Sequence, residues 1–119
     1  MPSVRSLKPD TQMTTDFLTR VREAAAKRLL FLPHAVHQMG RPDRMITPRE
    51  VRTVVLTGEL IEDYPDDKRG HSGLLYGHGQ EQRSIHAVCS PKDEYLAIIT
   101  AYLPSEHAWR ADRRTRRSK

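Results

Sequence analysis

The chain has 119 residues, of which 37% are hydrophobic, so we expect a single domain with one modest core. It contains no apolar run of about 18 residues, and residues 1–12 lack an apolar leader core, so we expect neither a membrane span nor a signal peptide. The only cysteine, Cys89, excludes an internal disulfide and is expected to be a small buried side chain. Together these features predict a cytoplasmic protein.

The net charge of +5 is concentrated near the C-terminus. Residues 107–119 contain six of the 20 Lys and Arg residues and one of the 15 Asp and Glu residues, which leaves 14 of each sign in the rest of the chain. A local positive field of this kind predicts a polyanionic partner, with RNA or DNA as the first candidates. We therefore assign nucleic-acid binding to the arginines of this tail, Arg113, Arg114, Arg116 and Arg117. A solvated, frayed terminus is the alternative interpretation.

The N-terminal half of the chain predicts helices. Residues 1–12 have no periodic apolar face and are expected to form a flexible arm. Apolar residues at helical spacing then predict a first helix over 15–29, capped by Thr15. The short apolar run 29–32 either ends this helix or forms a strand. Proline suits the first turn of a helix, so Pro33 predicts the start of a second, short helix.

The best-defined local pattern follows at Thr47. Thr47 and Glu50 have the spacing of a capping box, Pro48 fits the first helical position, and valines follow at helical spacing. This pattern predicts a helix over 47–57. Gly58 is expected to end the helix as a residue that is free to adopt a positive φ.

Beyond this helix the apolar period changes to two, which predicts four strands over 60–64, 72–76, 83–90 and 95–103. Helices followed by such a meander predict the α+β class, with the N-terminal helices packed on one face of a four-stranded antiparallel sheet. We expect a single domain over 13–109, followed by a basic tail over 110–119. In the first strand the acidic residues Glu59, Glu62 and Asp63 are expected to face water. The sheet face opposite the helices is expected to be partly open.

His86 is the main candidate for acid–base chemistry. It lies inside the third predicted strand, on the face opposite Ile85, and an imidazole titrates near neutral pH. A hydrogen-bonded sheet histidine is the alternative. His34 opens the second helix and is either an acid–base or phosphate-binding group, or a packed or capping residue.

Thr100 and Tyr102 lie two residues apart, on one face of the last predicted strand. A phenol can stack on a base and a hydroxyl can bind a phosphate oxygen, although both residues also fit an ordinary half-exposed strand. His34 and His37 depart from the helical zinc pattern and lack a Cys pair or an acidic cluster, so we expect no metal site. The remaining histidines are expected to lie in solvated loops: His71, His78 and His107.

Several spaced blocks occur in one order along the chain. They are His34-Ala35, Arg44 before Ile46, the stretch 58–65, His86, the stretch 98–104 and Trp109. This order resembles the bacterial family called domain of unknown function 4258, over about residues 33–117. The family usually has an arginine at the position of Gln38, and the connection over 39–44 is longer here than usual.

Members of this family resemble small toxins of the RelE and BrnT type, in which helices pack on a curved antiparallel sheet. The resemblance therefore implies cleavage of RNA, without a metal or cofactor, by the toxin half of a toxin–antitoxin pair. The alternative is a non-catalytic module of the same fold. It would bind nucleic acid through the basic tail, or an antitoxin segment by strand addition. The glutamine at position 38 favours this alternative slightly.

The expected catalytic residues of such a ribonuclease are His86, His34, Tyr102, Thr100 and Arg44. One of the two histidines takes a proton from a ribose 2′-hydroxyl, which then attacks the adjacent phosphate. Arg44, or a tail arginine such as Arg116, stabilises the charge that develops there. Tyr102 stacks on a base or supplies a proton, and Thr100 orients a phosphate oxygen.

Overall fold

The computed structural model describes residues 12–117, with side chains from residue 16 onward. Apart from Gln12, the predicted flexible arm lies outside the described residues. The described part contains three α-helices, α1 (Gln12–Lys27), α2 (Pro33–Met39) and α3 (Pro48–Thr57). It also contains five strands, β1 (Leu29–Phe31), β2 (Glu59–Tyr64), β3 (Ser72–His78), β4 (Ser84–Pro91) and β5 (Leu96–Tyr102). None of these helices has the length and apolar composition needed to cross a membrane.

The strands form one open sheet in the order β1-β5-β4-β3-β2. Strands β2 to β5 form the predicted antiparallel meander, but β1 adds a fifth strand that runs parallel to β5. The prediction of a four-stranded antiparallel sheet is therefore wrong, and the sheet is mixed. The run 29–32 takes its strand alternative, since the Leu32 amide donates a hydrogen bond to the Ile98 oxygen, 3.0 Å away. A strand of three residues is too short to carry a periodic pattern.

All three helices contribute to one hydrophobic core on a single face of the sheet. Val21 of α1, Ala35 of α2 and Val54 of α3 are fully buried there. From the sheet, Ile85 and Cys89 of β4 join the same cluster, and burial raises the pKa of the Cys89 thiol to about 12. The α+β class is thus confirmed, and Cys89 is the small buried side chain that the sequence predicts.

Helix α3 begins with the predicted capping box. The Thr47 hydroxyl accepts a hydrogen bond from the Glu50 amide (3.1 Å), and the Glu50 carboxylate accepts one from the Thr47 amide (3.0 Å). Gly58 ends the helix, but with φ −77° and ψ 173° rather than a positive φ. A Cβ atom at Gly58 would lie 2.8 Å from the main-chain oxygen of Tyr76 in β3 and closer still to that of Val54 in α3. The glycine is therefore required by its close approach to both main chains.

The sheet face opposite the helices is covered around His86. The chain beyond β5 folds back as a C-terminal hairpin, residues 105–117, in which Trp109 and Arg116 form an antiparallel bridge. Trp109 is only 2% exposed, and His86 is fully buried beneath the hairpin. The expectation of a partly open face is therefore wrong at His86.

Two acidic residues of β2 are buried, contrary to the expectation that they face water. Glu62 is 7% exposed and Asp63 is 5% exposed, because a bulge after Leu60 shifts the alternation of the strand. Asp63 lies 2.5 Å from the imidazole of His71, whose ring also packs on Phe17 at a centroid distance of 4.3 Å. His71 is therefore not the solvated loop residue that the sequence predicts.

Candidate functional site

A groove of about 400 Å³ opens between α2, the end of β5 and the C-terminal hairpin. Its polar and charged lining includes His34, Gln38, Arg44, Thr100, Tyr102 and Arg116. Among the described residues that line it, every charged side chain is basic. The groove therefore brings together four of the five predicted catalytic residues and one of the four predicted nucleic-acid-binding arginines.

Three separate segments of the chain supply the four predicted catalytic residues. His34 lies in the first turn of α2, which Pro33 opens, and its side chain is exposed. Thr100 and Tyr102 alternate along β5, so both side chains lie on the face opposite the helical core. Arg44 follows α2 in the connection to α3 and is half-buried. The site is thus assembled by the fold rather than by one local motif.

His86 does not line the groove but lies behind Tyr102. Its Nε2 atom is 2.6 Å from the main-chain oxygen of Arg113, and its Nδ1 atom is 3.4 Å from the Tyr102 hydroxyl. Because a carbonyl oxygen can only accept, we assign the hydrogen to Nε2, which leaves Nδ1 as an acceptor for the phenol. Burial lowers the pKa of His86 to about 4 and raises the pKa of Tyr102 to about 12. At neutral pH the pair is therefore a neutral imidazole and a protonated phenol.

The connection that carries Arg44 is held at both its side chain and its main chain. The Nη1 atom of Arg44 donates a hydrogen bond to Oε1 of Gln38, 2.8 Å away. The guanidinium of Arg83 donates to the main-chain oxygens of Arg44 (2.6 Å) and Met45 (2.9 Å). Arg83 is itself fixed by Glu50, and this contact lowers the pKa of Glu50 to about 2. The capped end of α3 thus holds the loop at the edge of the groove.

Arg116 reaches the groove from the C-terminal hairpin as half of an ion pair. Its Nε and Nη2 atoms donate to the two carboxylate oxygens of Glu62 at 2.7 and 3.0 Å. The Tyr64 hydroxyl donates to the same carboxylate, and the guanidinium lies 4.6 Å from the ring centre of Trp109. The hydrogen bonds to Glu62 raise the pKa of Arg116. This arginine therefore fastens the hairpin to β2 as well as lining the groove.

The other three predicted nucleic-acid-binding arginines make contacts within the chain. The Arg114 guanidinium is 2.8 Å from a Glu59 carboxylate oxygen, and that of Arg113 is 3.9 Å from a glutamate of the hairpin. Arg117 donates from Nε to the main-chain oxygen of Trp109 at 3.0 Å. All three lie outside the lining of the groove. In this structure they hold the hairpin together and attach it to the sheet.

Sequence reasoning missed the residues that support the site. Glu62 and Arg83 were not candidates, and Gln38 appeared only as a departure from the family pattern. Glu62 carried one usable signal, because it lies in the stretch 58–65 that the resemblance rests on. Within the described residues, no group of three or more His, Cys, Asp or Glu side chains is arranged to hold a metal ion.

Fold and groove together define a small α+β protein with a mixed five-stranded sheet and a basic groove between α2, the end of β5 and the C-terminal hairpin. The sequence model of the family described as domain of unknown function (DUF4258) matches residues 31–103, which is more than half of the chain. The chain belongs to this family. The match begins at the last residue of β1 and ends after β5, so the C-terminal hairpin lies beyond it. No curated protein and no solved structure matches the chain.

Proposed function

We propose that this protein binds single-stranded RNA in the groove and cleaves it without a metal ion, as the toxin component of a toxin–antitoxin-like system. One observation carries the proposal. His34, Arg44, Thr100 and Tyr102 come from separate parts of the chain and line one groove of about 400 Å³ whose charged groups are basic. A pocket of this size suits one unpaired nucleotide, and unpaired bases are what most RNA-binding proteins read.

His34 is a better general base than His86 in this proposal. His34 is exposed in the groove, whereas His86 is fully buried and both of its ring nitrogens have partners within the protein. His34 would take the proton of the ribose 2′-hydroxyl, and the freed oxygen would attack the adjacent phosphorus. Arg44 would stabilise the negative charge that develops on the phosphate oxygens.

Tyr102 suits the role of general acid. With its pKa raised to about 12 by burial, the phenol is protonated at neutral pH. It would turn its hydroxyl hydrogen from Nδ1 of His86 to the 5′-oxygen and donate it there as the bond from phosphorus to that oxygen breaks, and the phenolate would regain a proton from water. The product would be a 2′,3′-cyclic phosphate, and Thr100 would orient a phosphate oxygen during the step. His86, behind the phenol, would orient Tyr102 rather than touch the substrate.

The test is incubation of the purified protein with single-stranded RNA in the presence of EDTA. We expect cleavage that leaves 2′,3′-cyclic phosphate ends, and no cleavage of the same sequence with 2′-O-methyl riboses. His34→Ala and Tyr102→Phe should each slow the reaction by about 10²- to 10⁴-fold. The matched control is His37→Ala, an exposed histidine of the same helix that lies outside the groove lining. RNA that stays intact with the wild-type protein would sink the proposal.

A non-catalytic binding module is the second candidate. The observation in its favour is that His34 is the only histidine among the described residues that line the groove, so the acid would have to be a phenol whose pKa is about 12. A module of this kind would bind RNA in the groove, or an antitoxin segment at a free edge of the sheet, β1 or β2. Binding to RNA phosphates weakens steeply with salt, whereas strand addition does not.

A further inference from the structure

Among the described residues, two arginines reach the groove, and their charges have different partners. Arg116 faces the carboxylate of Glu62 through two hydrogen bonds, of 2.7 and 3.0 Å. Arg44 faces the neutral side-chain amide of Gln38 through one hydrogen bond of 2.8 Å. The positive charge of Arg116 is therefore neutralised within the protein. Gln38, by contrast, orients the guanidinium of Arg44 without neutralising its charge.

Glu62 engages two of the five donor hydrogens of Arg116, which leaves other donors at the groove. A phosphate group could take the full positive charge of Arg116, however, only by separating the guanidinium from Glu62. The Glu62 carboxylate is 7% exposed, and removing the guanidinium would leave a buried charge whose remaining described side-chain donor is the Tyr64 hydroxyl. A buried carboxylate without its cation is strongly unfavourable. Arg116 is also stacked 4.6 Å from the ring centre of Trp109. These contacts oppose its transfer to a ligand.

Arg44 is fixed in a way that leaves it able to bind a ligand. A guanidinium has five donor hydrogens, and the bond to Gln38 engages one of them. Its main chain is fixed independently, since Arg83 binds the carbonyl oxygens of Arg44 and Met45 while pairing with the buried Glu50. A cation held in place before the ligand arrives loses little entropy on binding. The geometry thus suits recognition of a phosphate oxygen.

We infer that Arg44 forms the phosphate-binding subsite of the groove and that Gln38 is its positioning residue, whereas Glu62 restricts Arg116 to a structural ion pair. The inference deepens the proposed function and rests on it for the identity of the ligand as RNA. The chemistry recognised is a phosphodiester anion. A carboxylate at position 38 would offer Arg44 the same acceptor geometry but would neutralise its charge.

The experiment measures binding of a fluorescent, single-stranded 2′-O-methyl oligonucleotide, which cannot be cleaved through its 2′ position, at two or more salt concentrations. Arg44→Gln should weaken binding about 10- to 100-fold, since hydrogen bonds to charged groups contribute that much, and should reduce the salt slope by about 0.7. The matched control is Arg41→Gln in the same connection, which removes an exposed charge outside the groove lining. It should change affinity by less than about threefold.

The role of Gln38 is separated from simple packing by two substitutions. Gln38→Glu keeps an oxygen at hydrogen-bond distance from Arg44, so a purely structural role would be rescued by it. We expect instead that Gln38→Glu weakens oligonucleotide binding more than Gln38→Ala does, because the new carboxylate competes with phosphate for Arg44. Equal affinity of Gln38→Glu and the wild type would overturn this part of the inference.

The role of Arg116 is tested in a double variant, because Arg116→Gln alone would leave Glu62 buried and unpaired. Arg116→Gln with Glu62→Gln removes both charges and leaves two amides that can hydrogen-bond. With an unchanged circular dichroism spectrum, this variant should bind within about threefold of the wild type. A loss as large as that of Arg44→Gln would overturn the inference, and so would failure of the wild-type protein to bind the oligonucleotide saturably. Binding without RNA cleavage would instead sink the proposed function and leave the inference standing.

Discussion

The Nε2 atom of His86 donates a hydrogen bond to the main-chain oxygen of Arg113, 2.6 Å away, and so joins the middle of the sheet to the C-terminal hairpin. The same imidazole meets the indole of Trp109 edge-on, at a ring-centre distance of 4.4 Å and an angle of 90°. His86 lies inside the region that the family model matches, whereas Arg113 and Trp109 lie beyond it. The hairpin therefore forms one wall of the groove, and the region that the family model matches does not form the whole groove by itself.

This contact predicts how the free energy of unfolding depends on pH. The pKa of His86 is lowered by burial from 6.5 to about 4, so the unfolded chain binds a proton more readily than the folded one. Protonation of His86 therefore leaves the free energy of unfolding unchanged above about pH 6.5 and lowers it as the pH falls from 6.5 through 4. For a shift of this size the loss is about 3 kcal/mol. Chemical denaturation measured at intervals between pH 7 and pH 4 would reveal it.

The variant His86→Gln tests whether His86 causes this dependence of the free energy of unfolding on pH. His86→Gln keeps a donor for the Arg113 oxygen but does not titrate, so its slope between pH 6.5 and 4.5 should be much flatter than that of the wild type. Two buried carboxyl groups, Glu50 and Asp67, lose their contributions only at lower pH, since the pKa of each is lowered to about 2. His37→Gln, on the exposed face of α2, should leave the slope unchanged. An unchanged slope in His86→Gln would show that other groups cause it.

Removing the indole should both destabilise the protein and release His86 from burial. Trp109 is 2% exposed, and replacing a buried tryptophan with alanine costs about 3–5 kcal/mol. In the variant Trp109→Ala, water can reach the imidazole, so the pKa of His86 should rise from about 4 towards 6.5. Thermal unfolding and an NMR titration of the His86 ring would measure the two effects.

The control for the indole variant is an apolar residue on the surface. Val36 is 58% exposed on α2, so Val36→Ala should change stability by less than about 0.5 kcal/mol and leave the pKa of His86 at about 4. If Trp109→Ala proved no less stable than Val36→Ala, the C-terminal hairpin would not be packed on the sheet as described.

Local patterns in the sequence were enough to predict α3 and the antiparallel meander. The capping box of α3 depends on residues three apart, and alternation along a strand depends on residues two apart. Three residues of the groove were candidates because of their side-chain chemistry, namely His34, Thr100 and Tyr102, and Arg44 was a candidate through the family resemblance. The helix and the strands were predictable because each is encoded within a few consecutive residues.

The remaining features depend on contacts between distant residues. Strand β1 is defined by its pairing with β5, which lies far along the chain. The burial of Glu62 depends on a bulge and on Arg116, which follows it by 54 residues. His86 was the favoured catalytic base because its burial by the C-terminal hairpin could not be read from β4 itself. The count of charges likewise treated the tail arginines as available to bind a ligand, although acidic side chains of β2 form ion pairs with two of them.

The capping box of α3 should contribute measurably to stability. Its hydroxyl accepts from the Glu50 amide at 3.1 Å, so Thr47→Ala should lower the free energy of unfolding by about 1 kcal/mol. Because the same Glu50 fixes Arg83 against the Arg44 connection, the variant should also slightly weaken the RNA binding that we propose. Thr53→Ala, which removes an exposed hydroxyl from the middle of α3, is the control for stability. Equal unfolding midpoints in urea for the two variants would contradict a special role of the cap.

The close approach of α3 to β3 at Gly58 leads to a prediction about alanine. The backbone of Gly58 has φ −77°, which any residue adopts, so alanine there is not strained conformationally. Its Cβ would nevertheless lie 2.8 Å from the main-chain oxygen of Tyr76 and closer still to that of Val54, and these main chains cannot yield cheaply. We expect Gly58→Ala to lower the free energy of unfolding by about 1–3 kcal/mol, as overpacking does.

Gly40→Ala provides the comparison, because Gly40 also has a negative φ, −82°, but its Cβ would meet the nearest atom at 3.3 Å. Urea unfolding of both variants should therefore separate them clearly, and a Gly58→Ala protein as stable as Gly40→Ala would contradict the close contacts of Gly58 with Val54 and with β3.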